Sequence, residues 1–152
     1  MKRVAAAAAA MVVGLTALSG AAATSGSAAA GDAKVQHHKK LVLRETASRD
    51  LSRRTFAGTD KVKSASSREL VGFDSYTGRF YPHKQKAVLQ VAFALKGGII
   101  IARVSATFTS DSPPPISGRI LKGTGKYKGI DGTVTGRLTD SDKVFITLHY
   151  RL

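Results

Sequence analysis

Hydrophobic and polar side chains alternate along short stretches of the chain from about residue 40 to the C-terminus. In the first stretch Leu41, Leu43 and Glu45 share one face, while Val42 and Arg44 share the other. A period of two is typical of a β-strand with one buried face. About eight such stretches follow one another, and this part of the chain contains no convincing amphipathic helix. The pattern therefore predicts an all-β domain.

The centre of the chain gives the strongest pattern. Residues 87–95 alternate larger and smaller side chains, a Gly-Gly pair follows at 97–98, and residues 99–108 are rich in β-branched residues. Two strands joined through Gly-Gly predict a β-hairpin, because that tight turn needs positive φ angles. In the second strand the face opposite to Arg103 is wholly apolar, so it predicts the core and places Arg103 outside.

The remaining strand candidates are shorter. They are residues 56–62, 68–73, 118–121, 129–138 and 144–151, with a loop predicted at 48–54 and corners at Thr77-Gly78 and at prolines 113–115. Many short alternating strands predict a sandwich or a barrel. An apolar last strand left at an open edge would invite aggregation, and pairing it with the first strand removes that edge. We therefore predict an eight-stranded antiparallel closed barrel over residues 40–152.

The first thirty residues have the order of a secretory signal. Two basic residues at 2–3 precede an apolar stretch at 4–18, and small residues continue up to Ala30. We predict cleavage after Ala30, with cleavage after Ala23 as the alternative. The apolar stretch is shorter than the ~20 residues that span a membrane, so secretion without a transmembrane anchor is predicted, and a retained anchor is the alternative.

Removal of residues 1–30 leaves a short polar segment at 31–39, which we predict to be flexible, and the barrel domain. The full chain has a formal net charge of +14 and no cysteine; loss of Lys2 and Arg3 with the signal leaves +12. Such a charge favours anionic partners, although it also keeps small domains soluble. Without cysteine, thiol chemistry and disulfides are excluded, and packing and sheet hydrogen bonds must stabilise the fold.

A glycine-rich segment, KGTGKYKGIDG at residues 122–132, raises the question of phosphate binding. A P-loop needs serine or threonine after its Gly-Lys pair and a helix behind it. Here Tyr127 follows Gly125 and Lys126, and a strand pattern begins a few residues later. The spacing also fails the dinucleotide fingerprint. The segment is therefore predicted to be a turn, and no nucleotide or other cofactor is predicted.

This segment resembles a motif of the barrel family that allene oxide cyclases share with plant dirigent proteins. The matching residues are Gly123, Thr124, Gly125, Tyr127, Gly129 and Gly132, which run into a strand beginning TVTGRL. The resemblance covers roughly residues 40–152, and Lys122 departs from it where a glycine is common. The resemblance implies an eight-stranded antiparallel barrel that holds a small apolar ligand in its lumen. It also implies that the barrel steers ring closure or coupling of that ligand, and it raises the prospect of a homotrimer.

Three side chains are candidates for the ligand pocket. Glu45 would place a carboxylate at the end of the lumen, where burial would raise its pKa; the alternative is a strand-end carboxylate in solvent. Tyr150 would offer a hydroxyl group at a barrel mouth; the alternative is an aromatic residue at the rim with its oxygen in water. Arg103 is the third candidate, although its strand face predicts a place outside the barrel or in a subunit contact. No family motif carries catalytic residues onto this chain, so a cyclase-like or stereo-directing activity remains open.

Other chemistries find less support. Four scattered histidines lack ligand spacing, and His37 and His38 would point to opposite strand faces, so no metal site is predicted. Basic residues cluster near the N-terminus of the barrel and at Lys122, Lys126 and Lys128, without interleaved aromatics for base stacking. Specific nucleic-acid recognition is therefore not predicted. The alternative to a ligand-binding barrel is a cationic extracellular protein that binds cell-wall or other polyanions without catalysis.

Overall fold

The structure, a computed structural model, describes residues 35–109, 113–139 and 143–152 and consists almost entirely of β-strands. The strands are β1 (His37–Asp50), β2 (Thr55–Ser64), β3 (Leu70–Tyr81), β4 (Lys86–Leu95), β5 (Gly98–Thr107), β6 (Pro115–Gly123), β7 (Asp131–Leu138) and β8 (Lys143–Arg151). Two single turns of 3₁₀ helix, Pro82–Lys84 and Gly125–Tyr127, join neighbouring strands. The all-β prediction is confirmed.

The eight strands close into an antiparallel barrel in which each strand pairs with its neighbours in the sequence, and β1 pairs with β8. The closing seam runs from His37 opposite Tyr150 to Arg44 opposite Lys143. Because the apolar last strand is paired on both sides, the edge that would invite aggregation is absent. The predicted closure is thus confirmed.

Alternate residues of every strand point into the barrel and form its core. The largest fully buried side chains are Phe93, Leu41, Ile100, Leu148, Val62, Val134 and Tyr127. On β5 the buried positions are Ile100, Ala102, Val104 and Ala106, which is the face predicted from the sequence. Arg103, on the opposite face, is exposed.

One predicted break is wrong, and another is shorter than predicted, since only residues 51–54 of the loop predicted at 48–54 lie between strands. Strand β3 runs straight through Thr77 and Gly78, where a corner was predicted. Gly78 serves packing instead, because a Cβ atom there would lie 2.5 Å from the Phe56 ring. Strand β1 continues to Asp50, where a loop was predicted from residue 48, because its last residues pair with β2 from Ala47 opposite Thr59 onward.

The glycine segment closes one end of the barrel, as a turn. Its backbone pairs with the β4–β5 hairpin: the amide of Thr124 donates to Ile99 (2.8 Å) and that of Lys126 to Gly97 (2.8 Å). Gly125 has a φ of 58° and a Cβ atom there would overlap Gly97, which explains the glycine. Since these amides bond within the protein, they are not aimed at a phosphate.

The predicted signal segment, residues 1–30, and most of the predicted flexible segment lie outside the described residues, as do residues 110–112 and 140–142 of two connections. Among the described residues, no helix has the length and hydrophobicity needed to cross a membrane. Cleavage and secretion remain predictions.

Candidate functional site

Three carboxyl groups form a row across the inner wall of the barrel. Glu45 on β1 is opposite Asp60 on β2, Asp60 is opposite Asp74 on β3, and Asp74 is opposite the fully buried Phe93 on β4. Directly opposed residues of an antiparallel pair have Cβ atoms only about 4.5–5.5 Å apart. The strand register therefore places three acids side by side, with an apolar wall at the inner end.

Burial increases steadily along this acidic row, which we define as Glu45, Asp60 and Asp74. Glu45 is exposed, Asp60 is 6% exposed and Asp74 is 3% exposed. Both carboxyl oxygens of Asp74 are buried, and among the described residues neither makes a well-formed hydrogen bond, although the backbone of Asp60 is close enough to lower the Asp74 pKa. A buried polar group without a partner costs about 1–3 kcal/mol. Asp74 is therefore an unsatisfied group at the deep end of the row.

The environment raises the pKa values of the two buried acids. Burial, and then the negative charge of Glu45, raise the pKa of Asp60 to about 6. Burial, and then the charge of Asp60, raise the pKa of Asp74 to about 8, although the backbone of Asp60 offsets part of this rise. At pH 7 Asp74 therefore carries its proton, while Asp60 is mostly ionised. One neutral acid beside one carboxylate can both donate and accept hydrogen bonds.

Tyr76 completes the site from β3, two residues beyond Asp74. Its hydroxyl group donates to Glu45 Oε2 (3.4 Å), and Ser48 Oγ donates to Glu45 Oε1 (2.8 Å). The tyrosine reaches this position by crossing Gly58, where a Cβ atom would overlap its hydroxyl group. Burial, followed by the charge of Glu45, raises the pKa of Tyr76. The phenol is therefore a hydrogen-bond donor at neutral pH.

The described seam between β1 and β8 ends beside this site. The last described pair is Arg44 opposite Lys143, and Glu45 is the next residue of β1. Beyond that point, in the part of the chain that the structure describes, β1 pairs with β2 alone; residues 140–142, which precede β8, lie outside that part. The acidic row thus runs from the deep, apolar lumen at Phe93 to a solvent-exposed mouth at Glu45.

The opposite end of the lumen is closed by aromatic packing. Tyr127 is 1% exposed and its ring meets the Tyr150 ring edge to face, with centroids 6.3 Å apart. Lys39 and Lys126 place their Nζ atoms 5.9 and 5.1 Å from the Tyr127 ring centroid. Tyr127 packs against this corner of the barrel, and the glycine motif forms a turn here.

The structure separates the three predicted pocket residues. Glu45 lies in the acidic row. Tyr150 points into the closed end, stacks on His37 with ring centroids 5.3 Å apart, and has a pKa raised by burial and by Tyr127. Arg103 lies on the outer wall, opposite Gln90 and Arg119. Their roles in ligand binding stay predictions, but the three do not form one site.

The two other acids were missed because they fall in weak strand patterns. Asp74 follows the predicted end of its strand, and its neighbour Phe73 is 51% exposed, the reverse of what hydrophobicity suggests. The period of two could have located them. Asp60 lies two residues before buried Val62, and Asp74 lies two residues before half-buried Tyr76, so each acid shares a face with an inward-pointing side chain. Once the strands are extended, both acids fall on the inner face.

A concave surface of about 590 Å³ lies on the outer wall over β2, β3 and β4. Its floor is formed by outward-facing small and polar residues, which include Ala57, Thr59, Ser75, Thr77, Gln90 and Ala92. The resemblance of the glycine segment raised the prospect of a homotrimer, which would need a contact surface of this kind. The homotrimer remains a prediction.

Histidines from both ends of the chain meet on the outer wall of the β1–β8 seam. The Nδ1 atoms of His38 and His149 are 2.8 Å apart, and His149 Nε2 is 3.1 Å from Thr135 Oγ1. The sequence left these histidines apart, because only the barrel closure brings them together. Within the described residues, no three histidine, aspartate or glutamate side chains are grouped to hold a metal ion.

Among the comparisons with known proteins, the one with solved structures supports the fold. No family model matches the chain, and no curated protein matches it. Solved structures do match, among them a protein described as "Pyocyanin demethylase", with a TM-score of 0.59 and 20% sequence identity over 75% of this chain and 99% of that chain. At this identity the match shows a shared barrel fold.

Proposed function

We propose that this protein binds a small, mainly apolar molecule in the mouth and upper lumen of the barrel, against the acidic row. The observation that carries the proposal is Asp74, an acid only 3% exposed at the edge of an apolar wall, whose two buried oxygens make no well-formed hydrogen bond among the described residues. A ligand that supplies a partner would remove this cost. Few precisely placed polar groups in an otherwise apolar lining are typical of small-molecule sites.

The protonation states define the chemistry that the ligand needs. At neutral pH the carboxyl proton of Asp74 is available for donation to a ligand oxygen or nitrogen. Asp60, mostly ionised, accepts a hydrogen bond from the ligand or from water. The expected ligand is therefore a neutral apolar molecule with a carbonyl or ring-nitrogen acceptor. Affinity should fall as the pH rises through about 8, because Asp74 then loses its proton.

The fold comparison supports a small molecule as the partner. The similar solved structure is described as a pyocyanin demethylase, a name that refers to chemistry on a small molecule. The resemblance of the glycine segment to allene oxide cyclases and dirigent proteins points in the same direction. A shaped apolar wall beside a proton donor restricts a bound intermediate to one conformation. We therefore include steered ring closure or coupling in the proposal, in a protein secreted after removal of residues 1–30.

Nile red, a neutral planar dye with a carbonyl acceptor, tests the binding site directly. Its fluorescence should report saturable binding at pH 7 that weakens about tenfold or more at pH 9. Asp74→Asn, which retains a hydrogen-bond donor but not the titration, should make the affinity independent of pH over this range. Asp50→Asn removes an exposed acid from the hairpin tip and serves as the matched control. Unchanged pH dependence in Asp74→Asn would contradict the proposal.

Native mass spectrometry of protein purified from its own culture medium tests secretion, ligand retention and oligomeric state in one experiment. The expected spectrum shows a chain that begins at residue 31 or 24, a retained small molecule and the subunit count. Absence of the mature chain from the medium would contradict secretion. Release of the same molecule from wild type and from Asp74→Asn in equal amounts would contradict a role for the acidic row.

A further inference from the structure

The outer surface of the same strands carries a strip of positive charge. We define the basic face as Arg44 on β1, Lys61 and Lys63 on β2, Lys143 on β8 and Arg137 on β7, all of them exposed. We propose that this face binds a linear phosphodiester or polyphosphate chain. This site is separate from the lumen and does not depend on the ligand proposed above.

The register brings three of these cations into direct opposition. Arg44 lies opposite Lys61 on one side and opposite Lys143 on the other. Adjacent strands are about 4.7–4.9 Å apart, so the three charges follow one another at that spacing across the wall. Like charges directly opposite each other destabilise a sheet. An anion laid along the row would neutralise this repulsion.

A second row runs beside the first. Lys63 lies opposite Val42, Val42 opposite Phe145, and Phe145 opposite Arg137. Positions two residues apart on a strand are separated by about 7 Å, so the two rows form one continuous strip. The first row therefore presents three cations on neighbouring strands, and Lys63 and Arg137 extend the strip at its two edges, on either side of the apolar Val42 and Phe145.

The acids of the described residues lie mainly away from this face. They are Glu45, Asp60, Asp74, Asp50, Glu69 and Asp131. The first three form the acidic row on the inner wall, and Asp131 is 3.8 Å from Arg151. Asp50 ends β1, six residues beyond Arg44, and Glu69 precedes β3. Asp140 and Asp142, which precede Lys143 in the sequence, lie outside the described residues. In the described part of the chain, cations therefore dominate the charge of the strip.

The shape and composition of the basic face favour a linear chain over a lipid bilayer. The face lies on the convex wall of a closed barrel, so a flexible chain can follow it, whereas a flat bilayer would reach only part of it. Beside these cations, Phe145 is 39% exposed and Val42 is half-buried. Phe73 and Leu70 are more exposed, but they lie on β3 opposite Lys61 and Lys63, at one edge of the face. A bilayer that took up these two side chains would leave Arg137 out of reach, because β7 is four strands away around the barrel. Base stacking is not needed, because phosphate contacts alone give sequence-independent affinity.

Long-chain inorganic polyphosphate is the probe for the full-length or processed wild-type protein. Its affinity should fall steeply between about 50 and about 200 mM salt. In the variant Arg44→Gln/Lys61→Gln the affinity should fall about tenfold or more. The slope of log K against log salt should shrink by about 1.4, because the variant neutralises two fewer phosphates. The melting temperature should stay the same or rise, since the substitutions relieve repulsion.

Lys122→Gln/Lys128→Gln is the matched control, because it makes the same change in net charge on β6 and on the glycine segment after it. This control should lower the affinity for polyphosphate by about threefold or less. Equal losses in the two variants would overturn the proposal and reduce the effect to net charge. Two further results would also overturn the proposal. One is that orthophosphate competes for the site as strongly as polyphosphate does. The other is that Arg44→Gln/Lys61→Gln weakens binding to phosphatidylglycerol vesicles but leaves polyphosphate binding unchanged.

Discussion

The inner and outer faces of β1 and β2 have opposite charge, although they are only one residue apart along each strand. Glu45 and Asp60 point into the barrel, while Arg44 and Lys61 point out of it. Both rows set like charges in direct opposition, which costs stability on any sheet. The environments differ, however: water screens the outer cations, whereas burial forces Asp74 and Asp60 to hold protons more tightly.

The comparison shows where a charge row indicates function. On the outer wall, solvent reduces the repulsion between the cations to a small free-energy cost. The outer row is therefore stable without a bound polyanion. On the inner wall the same arrangement leaves an acid unsatisfied and shifts its pKa to about 8. Strongly perturbed acids in clefts are candidates for binding and proton transfer. The inner row is therefore the stronger candidate for chemistry, and the outer row for adhesion.

The largest expected effect comes from closing the space that the inner site uses. Gly58→Ala should lower the free energy of unfolding by about 3 kcal/mol, because the new methyl group would overlap the Tyr76 hydroxyl group and lie 2.7 Å from the Ala47 carbonyl oxygen. Urea denaturation measures the change. The outward-facing neighbour gives the control, Ala57→Ser, which should change stability by less than about 0.5 kcal/mol. Similar values for both would show that the inner wall is no tighter than the outer wall.

The next effect is the pH dependence that the inner row imposes. The folded-state pKa of Asp74 lies above its usual value of 3.8, so folding is favoured while the acid is protonated. Stability should therefore be highest near about pH 4 and fall as the pH rises to about 8. Asp74→Asn should remove much of this fall and raise the free energy of unfolding at pH 9 by about 2 kcal/mol. Stability that rises between pH 5 and pH 9 in wild type would contradict the buried acid.

Some of this site follows from the sequence and some does not. Alternation places Glu45 with Leu41 and Leu43, and the structure keeps all three on the inner face. The deeper acids depend on strand register, which sets Asp60 opposite Asp74 and cannot be derived from alternation within one strand. The opening at Glu45 depends on where β8 stops pairing with β1. Local patterns predict strands and faces, while the site itself arises from pairing between distant strands.

A smaller effect is expected on the outer wall. Arg44→Gln removes two like-charge contacts, with Lys61 and Lys143, and should raise stability by about 0.5 kcal/mol at low salt. The gain should disappear at about 1 M salt, where charges are screened beyond about 3 Å. Thermal unfolding at the two salt concentrations measures it. A gain that persists at high salt would mean that packing, and not charge, causes the change.

An effect of similar size, but of opposite sign, is expected at the histidine pair of the outer seam. His38→Ala should lower stability by about 0.5 kcal/mol, because the contact between the two Nδ1 atoms is a single exposed hydrogen bond. A double-mutant cycle with His149→Ala isolates the pair, and the two losses should not add. Fully additive losses would show that the two rings act independently.

The seam between β1 and β8 also constrains how the chain can be made. The strands β1 and β8 are joined edge to edge from His37–Tyr150 to Arg44–Lys143, so the cylinder cannot shut until β8 has left the ribosome. Contacts between such remote segments form slowly. A newly made chain therefore keeps an open wall until the strand that completes it has been synthesised.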